Sequence, residues 1–209
     1  MKQSNILKIG LTGGIGCGKS TISNMLKDKG ISIVDADKIA RKVLVSHPEI
    51  LIKIKDKFGE EYFDEEGIFL RKKMGELIFS NKEKKREYED LIMPYIFHDI
   101  FAEIDEYDKM GMDICIVDAP TLIETKLYKF MDFVIVISVM EDVQILRVMD
   151  RDGFTREEAI MRIKNQMPTS EKIKFADYII DNGGTLEYTS FQLESILSSL
   201  KNKRGKNGL

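Results

Sequence analysis

The stretch Gly10–Thr21, GLTGGIGCGKST, decides the fold that this chain can adopt. From Gly13 to Ser20 it matches G-x-x-x-x-G-K-[ST], the pattern of a phosphate-binding loop. The apolar residues before the loop predict a short buried strand, and the residues after Lys19 predict a helix. Glycines let the main chain turn tightly, so several N–H groups can point into one concavity at the start of that helix. The stretch therefore predicts a site for a phosphorylated nucleotide.

Each part of the loop has an expected role in that site. Lys19 should reach the β- and γ-phosphates, and the Ser20 hydroxyl should coordinate Mg²⁺. Cys17 is interpreted as a small residue that fills a loop position, in preference to a thiol that is oxidised. The residues predicted to contact the nucleotide here are Gly14, Ile15, Gly16, Cys17, Gly18, Lys19, Ser20 and Thr21.

Composition limits the classes of protein to which the chain can belong. Of its 209 residues 43% are hydrophobic and 32% are charged, which is typical of a folded globular protein. The net charge of −3 gives no indication of binding to nucleic acid or to an anionic membrane. Neither a signal-peptide pattern nor a membrane span is recognised, and the two cysteines are not placed for a disulfide. We therefore expect a cytoplasmic protein that binds neither nucleic acid nor a membrane. The sequence makes no prediction of oligomeric state.

Five short runs rich in Ile and Val lack the alternation of half-exposed strands, so they predict strands covered on both faces. Helical stretches separate them, which indicates parallel strands joined by crossovers. The fold class is therefore α/β, with a five-stranded parallel sheet between two layers of helices. The predicted strands are Ile6–Thr12, Ile31–Asp35, Asp113–Asp118, Asp132–Val139 and Asp177–Asp181.

The gap between the second and third strands is too long for one crossover. From about Lys38 to Gly111 the pattern is mostly helical, interrupted by a turn at Glu65–Gly67 and by Pro94. This pattern predicts an inserted helical subdomain that binds substrate. The alternative is that the insertion only packs against the edge of the sheet.

Carboxylates follow two of the predicted strands at the edge where open α/β sheets bind ligands. Asp37, just past the second strand, is the expected base that orients an acceptor hydroxyl, and Asp35 would assist it or bind a metal-bound water. Asp37 could instead cap the helix beginning at Lys38. Asp118, at the end of the third strand, is in the position of a Walker B acid, which serves the Mg²⁺ ion.

The helix after the fourth strand carries Arg147 and Arg151 on one face. They could pair with nearby acids such as Asp150 and Asp152, or close over phosphates as a mobile lid, and the lid interpretation is favoured. Thr155 is expected to cap the next helix.

The two histidines of the chain, His47 and His98, lack the sequence spacing of a metal-ligand pair. We expect both histidines to lie at the surface, and we expect no structural zinc site.

Taken together, these motifs resemble dephospho-CoA kinase, a family of phosphate-loop kinases. The resemblance runs from about Ile9 to Gly184. It rests on Thr12–Ser20, on Asp35-Ala36-Asp37 with Ala40-Arg41, on Val117–Pro120, on Gln144 with Arg147, Arg151 and Asp152, and on Gln166, Ala176–Asn182 and Gly184.

The resemblance implies ATP- and Mg²⁺-dependent phosphorylation of the ribose 3′-hydroxyl of dephospho-CoA, giving CoA and ADP. It implies that the second acid of the D-A-D segment is the base, which agrees with Asp37, and that Arg41 helps to hold the acceptor. Asn182 and Gly184 would lie near the adenine. The alternatives are a kinase of another small acceptor, such as a nucleoside monophosphate, and a nucleotide-dependent switch.

The implied build is one kinase domain in three parts. They are a nucleotide-binding core (1–37, 112–140 and 177–209), a helical CoA-binding insertion (about 38–111) and a lid (about 141–176). The insertion departs from the family pattern, because Gly75 and Met93 stand where an arginine and a histidine are usual. Arg71 and Arg86 remain as expected contacts to the acceptor.

Overall fold

The computed structural model describes residues 6–207, with side chains described as far as Lys203. The first residues of the chain, Met1–Asn5, which entered the signal-peptide prediction, lie outside the described residues. In chain order the elements are β1 (Leu7–Gly13), α1 (Lys19–Asp28), β2 (Ser32–Asp35), α2 (Ala36–Ser46), α3 (Glu49–Phe58), a 3₁₀ helix (Glu60–Tyr62), α4 (Arg71–Ser80), α5 (Lys82–Lys109), β3 (Ile114–Asp118), a second 3₁₀ helix (Leu127–Phe130), β4 (Phe133–Ser138), α6 (Glu141–Asp152), α7 (Arg156–Lys164), α8 (Thr169–Ile173), β5 (Tyr178–Asp181) and α9 (Leu186–Asn207).

The chain divides into two compact units. The sheet unit consists of the chain up to Asp35 together with the chain from Glu103 onward, and the helical unit is Ala36–Ala102. No helix in residues 6–207 combines the length and the apolar character that a membrane crossing requires.

The sheet unit is built on five parallel strands in the order β2-β3-β1-β4-β5. This confirms the predicted five-stranded parallel sheet, and each strand begins within a residue or two of its expected start. Strand β1 lies at the centre, because its apolar run pairs with β3 on one side and with β4 on the other. The loop that follows β1 is thereby held at the middle of the carboxyl edge of the sheet.

Helices α1 and α9 cover one face of the sheet. Their apolar side chains, including Ile22, Leu26 and Leu193, form one buried cluster with Ile9 and Leu11 of β1. On the opposite face, a Cβ atom on Gly10 would lie 2.5 Å from the side chain of Leu122, so the segment after β3 packs directly against the strand. The sheet is therefore the middle layer of three, as expected.

The helical unit also buries apolar side chains, namely those of Val43, Leu44, Ile50, Ile54, Phe58, Met74, Ile96 and Ile100. Between α3 and α4 a turn at Glu65–Glu66 brings Phe63 and Phe69 into an antiparallel bridge, which agrees with the predicted turn. The expectation that Pro94 interrupts the helices was wrong, because α5 continues through it. Proline removes one N–H donor and usually kinks a helix, but the apolar contacts of a long helix can offset that cost.

Candidate active site

The phosphate loop closes between the end of β1 at Gly13 and the start of α1 at Lys19. Gly16 and Gly18 have φ angles of 76° and 85°, in the left-handed region that favours glycine. A Cβ atom on Gly18 would also lie 2.1 Å from Nδ2 of Asn182, so this position has no room for a side chain. Lys19 and Ser20 are the first helical residues, and N–H groups at that point have no acceptor within the helix. The loop is therefore shaped to present donors to an anion.

Lys19 and Asp118 come together at the carboxyl edge of the sheet. The Lys19 ammonium forms an ion pair with Asp118 Oδ1, and Ser23 Oγ donates to Asp118 Oδ2 at 2.6 Å. Asp35 is the register partner of Asp118 on the neighbouring strand, so both acids end adjacent strands. Ser20 is exposed at the start of α1. The hydroxyl of Ser20 and the carboxylate of Asp118 are hard oxygen donors, which suit Mg²⁺.

Two glutamine side chains bind the main-chain N–H and carbonyl groups of Ile15. Gln144 Nε2 donates to the Ile15 carbonyl at 2.6 Å, and the Ile15 N–H donates to Gln166 Oε1 at 2.8 Å. Ile15, which was predicted to contact the nucleotide, therefore has its N–H bound to Gln166. Site prediction from the sequence missed both glutamines, whose only signal was their place among the motifs that carried the family resemblance.

Asn182 ties the other side of the loop to the end of β5. Its Nδ2 donates to the Cys17 carbonyl at 2.8 Å, and its Oδ1 accepts from Thr189 Oγ1 at 3.0 Å. Arg147 Nη2 donates to the Asn182 carbonyl at 2.9 Å, which brings this guanidinium beside the loop. Gly184 lies two residues further along, exposed and close to the Tyr188 ring.

Arg151 lies one helical turn beyond Arg147 but contacts a different group. Its guanidinium makes two hydrogen bonds to the carboxylate of Asp152, at 2.8 and 2.7 Å. These bonds raise the pKa of Arg151 and lower that of Asp152. The pairing is the alternative that the sequence left open, and a contact from Arg151 to phosphate stays a prediction.

Both cysteines are free thiols buried in the fold. Burial raises the pKa of Cys17, and it raises the pKa of Cys115 to about 12. Cys17 Sγ would lie 2.5 Å from a Cβ atom on Gly13, so the thiol fills the space beneath the loop. This agrees with the interpretation of Cys17 as a packing residue, because a buried neutral thiol is a poor nucleophile.

A fully buried lysine, which sequence analysis did not single out, supports the same edge of the sheet. Lys172 of α8 pairs with Glu124 at 2.9 Å and donates to the carbonyl of Pro120. Thr12, at the end of β1, donates to the same carbonyl at 3.0 Å. The segment after β3 is therefore bound both to β1 and to α8.

The residues predicted to act on the acceptor lie in the helical unit, apart from Asp35. Asp37 is exposed in the first turn of α2, which begins at Ala36, so Asp37 does not cap a helix starting at Lys38. Arg71 Nη1 approaches the Arg41 carbonyl at 3.4 Å, which brings two arginines together. Arg86 is exposed on α5.

The histidines were only partly predicted. His98 is exposed as expected, whereas His47 is half-buried and its Nε2 lies 2.8 Å from Asp99 Oδ1. The fold also brings His47, His98 and Asp99 into one cluster, which the spacing of these residues in the sequence did not indicate.

Known proteins are similar in sequence to this chain over almost its whole length. A family model described as "CoaE: Dephospho-CoA kinase" matches residues 7–187. Curated proteins named dephospho-CoA kinase include one from Clostridium tetani, 46% identical over 93% of this chain and 86% of the relative, and one from Clostridium perfringens, 43% identical over 92% and 96%. A solved structure titled as the dephospho-CoA kinase from Campylobacter jejuni superposes with a TM-score of 0.69 at 31% identity, over 94% of this chain and 98% of that one. The chain, with its phosphate loop and parallel sheet, therefore belongs to the dephospho-CoA kinase family of phosphate-loop proteins.

Proposed function

We propose that the protein transfers the γ-phosphoryl group of ATP to the ribose 3′-hydroxyl of dephospho-CoA, giving CoA and ADP, the last step of CoA biosynthesis. The observation that carries this proposal is a phosphate loop with its lysine paired to the acid of β3, in a chain that belongs to the dephospho-CoA kinase family. A phosphotransferase of this kind acts on an alcohol group.

The donor side of the reaction rests on electrostatics. The loop N–H groups and the start of α1 would hold the phosphates, and Lys19 would exchange its contact with Asp118 for the β- and γ-phosphates. Arg147, anchored beside the loop by Asn182, would neutralise charge that develops on the transferred group, with Arg151 moving in from its pair with Asp152. Positioning and charge stabilisation supply most of the rate in phosphoryl transfer.

Ser20 and Asp118 would hold Mg²⁺, since a hydroxyl and a carboxylate at the carboxyl edge of the sheet are oxygen donors of the kind that this ion prefers. When bound, the ion neutralises phosphate charge and orients the γ-phosphoryl group. The carboxylate is held in place by the hydrogen bond from Ser23.

The acceptor side rests on Asp37. Its carboxylate would accept a hydrogen bond from the 3′-hydroxyl and take its proton as the new P–O bond forms. Arg41, Arg71 and Arg86 would attract the anionic acceptor, and Asp35 would help to orient it. The neighbouring positions of Arg41 and Arg71 within the helical unit support a shared role. The division into core, CoA-binding insertion and lid is part of this proposal. We also propose that the protein acts in the cytoplasm, on a small-molecule substrate, and binds no nucleic acid.

An acceptor panel tests the proposal. Purified protein is supplied with Mg²⁺ and ATP, and ADP release is followed with dephospho-CoA, with nucleoside monophosphates and with no acceptor. We expect fast ADP release only with dephospho-CoA. Equal or faster release with a nucleoside monophosphate would assign the protein to another acceptor, and release that needs no acceptor would favour a nucleotide-dependent switch.

A further inference from the structure

Two histidines and two carboxylates converge within the helical unit, in a cluster with no part in the proposed reaction. His47 lies in the link between α2 and α3, and His98 and Asp99 are neighbours on α5. A ligand atom from each of these three lies within 4.8 Å of the other two. Glu49 approaches the group from the opposite side of the His47 ring, with Oε1 3.5 Å from Nδ1.

The atoms that contact one another in this cluster are also ones that can bind a cation. One carboxylate oxygen, Asp99 Oδ1, faces Nε2 of His47 at 2.8 Å and Nδ1 of His98 at 3.2 Å. An ionised carboxylate can only accept, and a neutral imidazole carries hydrogen on just one nitrogen. Without an ion, the Nε2–H of His47 can donate to Asp99, and a metal ion that takes the place of the shared protons would accept a lone pair from each of these groups. A carboxylate that orients a histidine whose other nitrogen binds metal is a recurrent arrangement in metalloproteins.

The distances suit a small transition-metal ion. At Zn–N and Zn–O bond lengths of about 2.0–2.2 Å, two ligands of a tetrahedral site are about 3.3 Å apart. The two separations from Asp99 Oδ1, 2.8 and 3.2 Å, are close to that value, and the histidine nitrogens lie within 4.8 Å of each other, so small shifts of the side chains would admit the ion. His98 is 72% exposed at its side chain, which leaves a side of the site open to water as a fourth ligand.

The main chain holds the ligands in place before any ion binds. The His47 N–H donates to the Val43 carbonyl at 2.9 Å, and the His47 carbonyl accepts from the Ile50 N–H at 3.1 Å. Its ring packs against Tyr95 with centroids 5.1 Å apart. The other two ligands lie in the interior of a long helix. A site built on such fixed positions loses little entropy on binding.

We propose that His47, His98 and Asp99 bind a divalent transition-metal ion of the Zn²⁺ class, with Glu49 orienting the His47 ring. Two imidazoles and one carboxylate suit Zn²⁺, Ni²⁺ or Cu²⁺, whereas Mg²⁺ and Ca²⁺ prefer all-oxygen ligands. The ion would join the end of α2 to the middle of α5. Because it binds the folded helical unit and not the unfolded chain, it would raise the stability of the protein.

The test is a Zn²⁺ titration of the full-length protein after treatment with a chelator, in the presence of excess Mg²⁺. Affinity is measured by competition with a chromogenic zinc chelator, and the melting temperature is recorded with and without Zn²⁺. His98→Gln is the decisive variant, because an exposed side chain can be replaced without loss of the fold. We expect the wild type to bind one ion per chain and to melt at higher temperature with Zn²⁺. The affinity of His98→Gln should fall by more than the roughly 10–100-fold that loss of an outer partner causes, and Glu49→Gln should show that smaller loss.

Glu89→Gln is the matched control, since Glu89 is another carboxylate of α5 that pairs only peripherally, with Lys85 at 3.8 Å. It should bind Zn²⁺ as the wild type does, while Asp99→Asn should bind it weakly. The proposal is overturned if His98→Gln and Asp99→Asn retain the affinity and the rise in melting temperature of the wild type, which would place the ion elsewhere. It is equally overturned if the wild type binds Zn²⁺ no more tightly than His98→Gln does.

Discussion

Asn182 links the phosphate loop to the end of β5 through both ends of its side-chain amide. Its nitrogen binds the Cys17 carbonyl and its oxygen accepts from Thr189, and the whole group is buried. The amide also lies where a side chain on Gly18 would have to go. Loop shape therefore depends on a residue 165 positions away in sequence from Cys17.

Removal of that amide should loosen the loop. In Asn182→Ala the buried Cys17 carbonyl and the Thr189 hydroxyl lose their partners, at a cost of about 1–3 kcal/mol for an unsatisfied buried group. We expect a lower free energy of unfolding, measured with urea, and a raised KM for ATP. Asn165→Ala, at an exposed position, serves as the control and should change neither quantity. An unchanged KM for ATP in Asn182→Ala would contradict the role given to this residue.

The Asp37 carboxylate is expected to act on the acceptor and not on the donor. Asp37→Asn removes the group that takes the hydroxyl proton, and general-base catalysis contributes about 10²–10⁴-fold. We expect kcat to fall by that factor while the KM for ATP stays close to that of the wild type. Asp56→Asn, another exposed acid of the helical unit, should leave both unchanged. Turnover by Asp37→Asn equal to that of the parent would rule out the base assignment.

At the scale of elements, α7 begins with a complete capping box. Thr155 Oγ1 accepts from the Glu158 N–H at 3.3 Å, and Glu158 Oε2 accepts from the Thr155 N–H at 2.8 Å. The sequence predicted Thr155 as the cap, which the structure confirms. Thr155→Ala should lower the free energy of unfolding by about 1 kcal/mol. Urea denaturation measures the change, and Thr121→Ala, at an exposed threonine outside any helix cap, is the control.

The same capping box should make the stability of α7 depend on pH. The hydrogen bond from the Thr155 N–H is the main cause that lowers the pKa of Glu158 below its ordinary value of 4.5. The box therefore contributes fully at pH above that value and loses its contribution as pH falls through the lowered pKa. Hydrogen exchange of the α7 amides should be slower in the wild type than in Glu158→Gln at neutral pH, and this difference should shrink in acid. A difference that did not change with pH would contradict the assignment.

Elements whose signal is local were predicted well. The five strands follow from Ile- and Val-rich runs, and the loop and α1 follow from glycine spacing. Pro94 misled the prediction because the cost of a proline inside a helix is local, whereas α5 buries Ile96, Ile100 and Ile104 further along its length.

Contacts between distant positions could not be predicted. Nothing in the sequence pairs Gln166 with Ile15, 151 positions away, or Lys172 with Glu124. The His47–Asp99 contact spans 52 positions and depends on how α2 and α5 pack within the helical unit. Family motifs pointed to Gln144 and Gln166 as important, but only the structure gave their partners.

At the scale of the whole molecule, nucleotide binding should raise the stability of the folded protein. A ligand that binds only the folded chain raises the free energy of unfolding by about 2.7 kcal/mol at one hundred times its dissociation constant. We expect Mg²⁺ with ATP to raise the melting temperature of the wild type, and Lys19→Ala to lose most of that rise because the variant lacks the ammonium beside Asp118. Lys27→Ala, at an exposed position on the same helix, is the matched control. A rise in Lys19→Ala equal to that in the wild type would remove Lys19 from the nucleotide site.

The position of the new phosphate in the product tests the central claim most directly. The protein is supplied with ATP, Mg²⁺ and dephospho-CoA, and the product is analysed by phosphorus–proton correlation NMR beside a count of the ADP formed. We predict one phosphate on the ribose 3′-oxygen for each ADP released. A phosphate on any other oxygen, or ADP without CoA, would contradict the account.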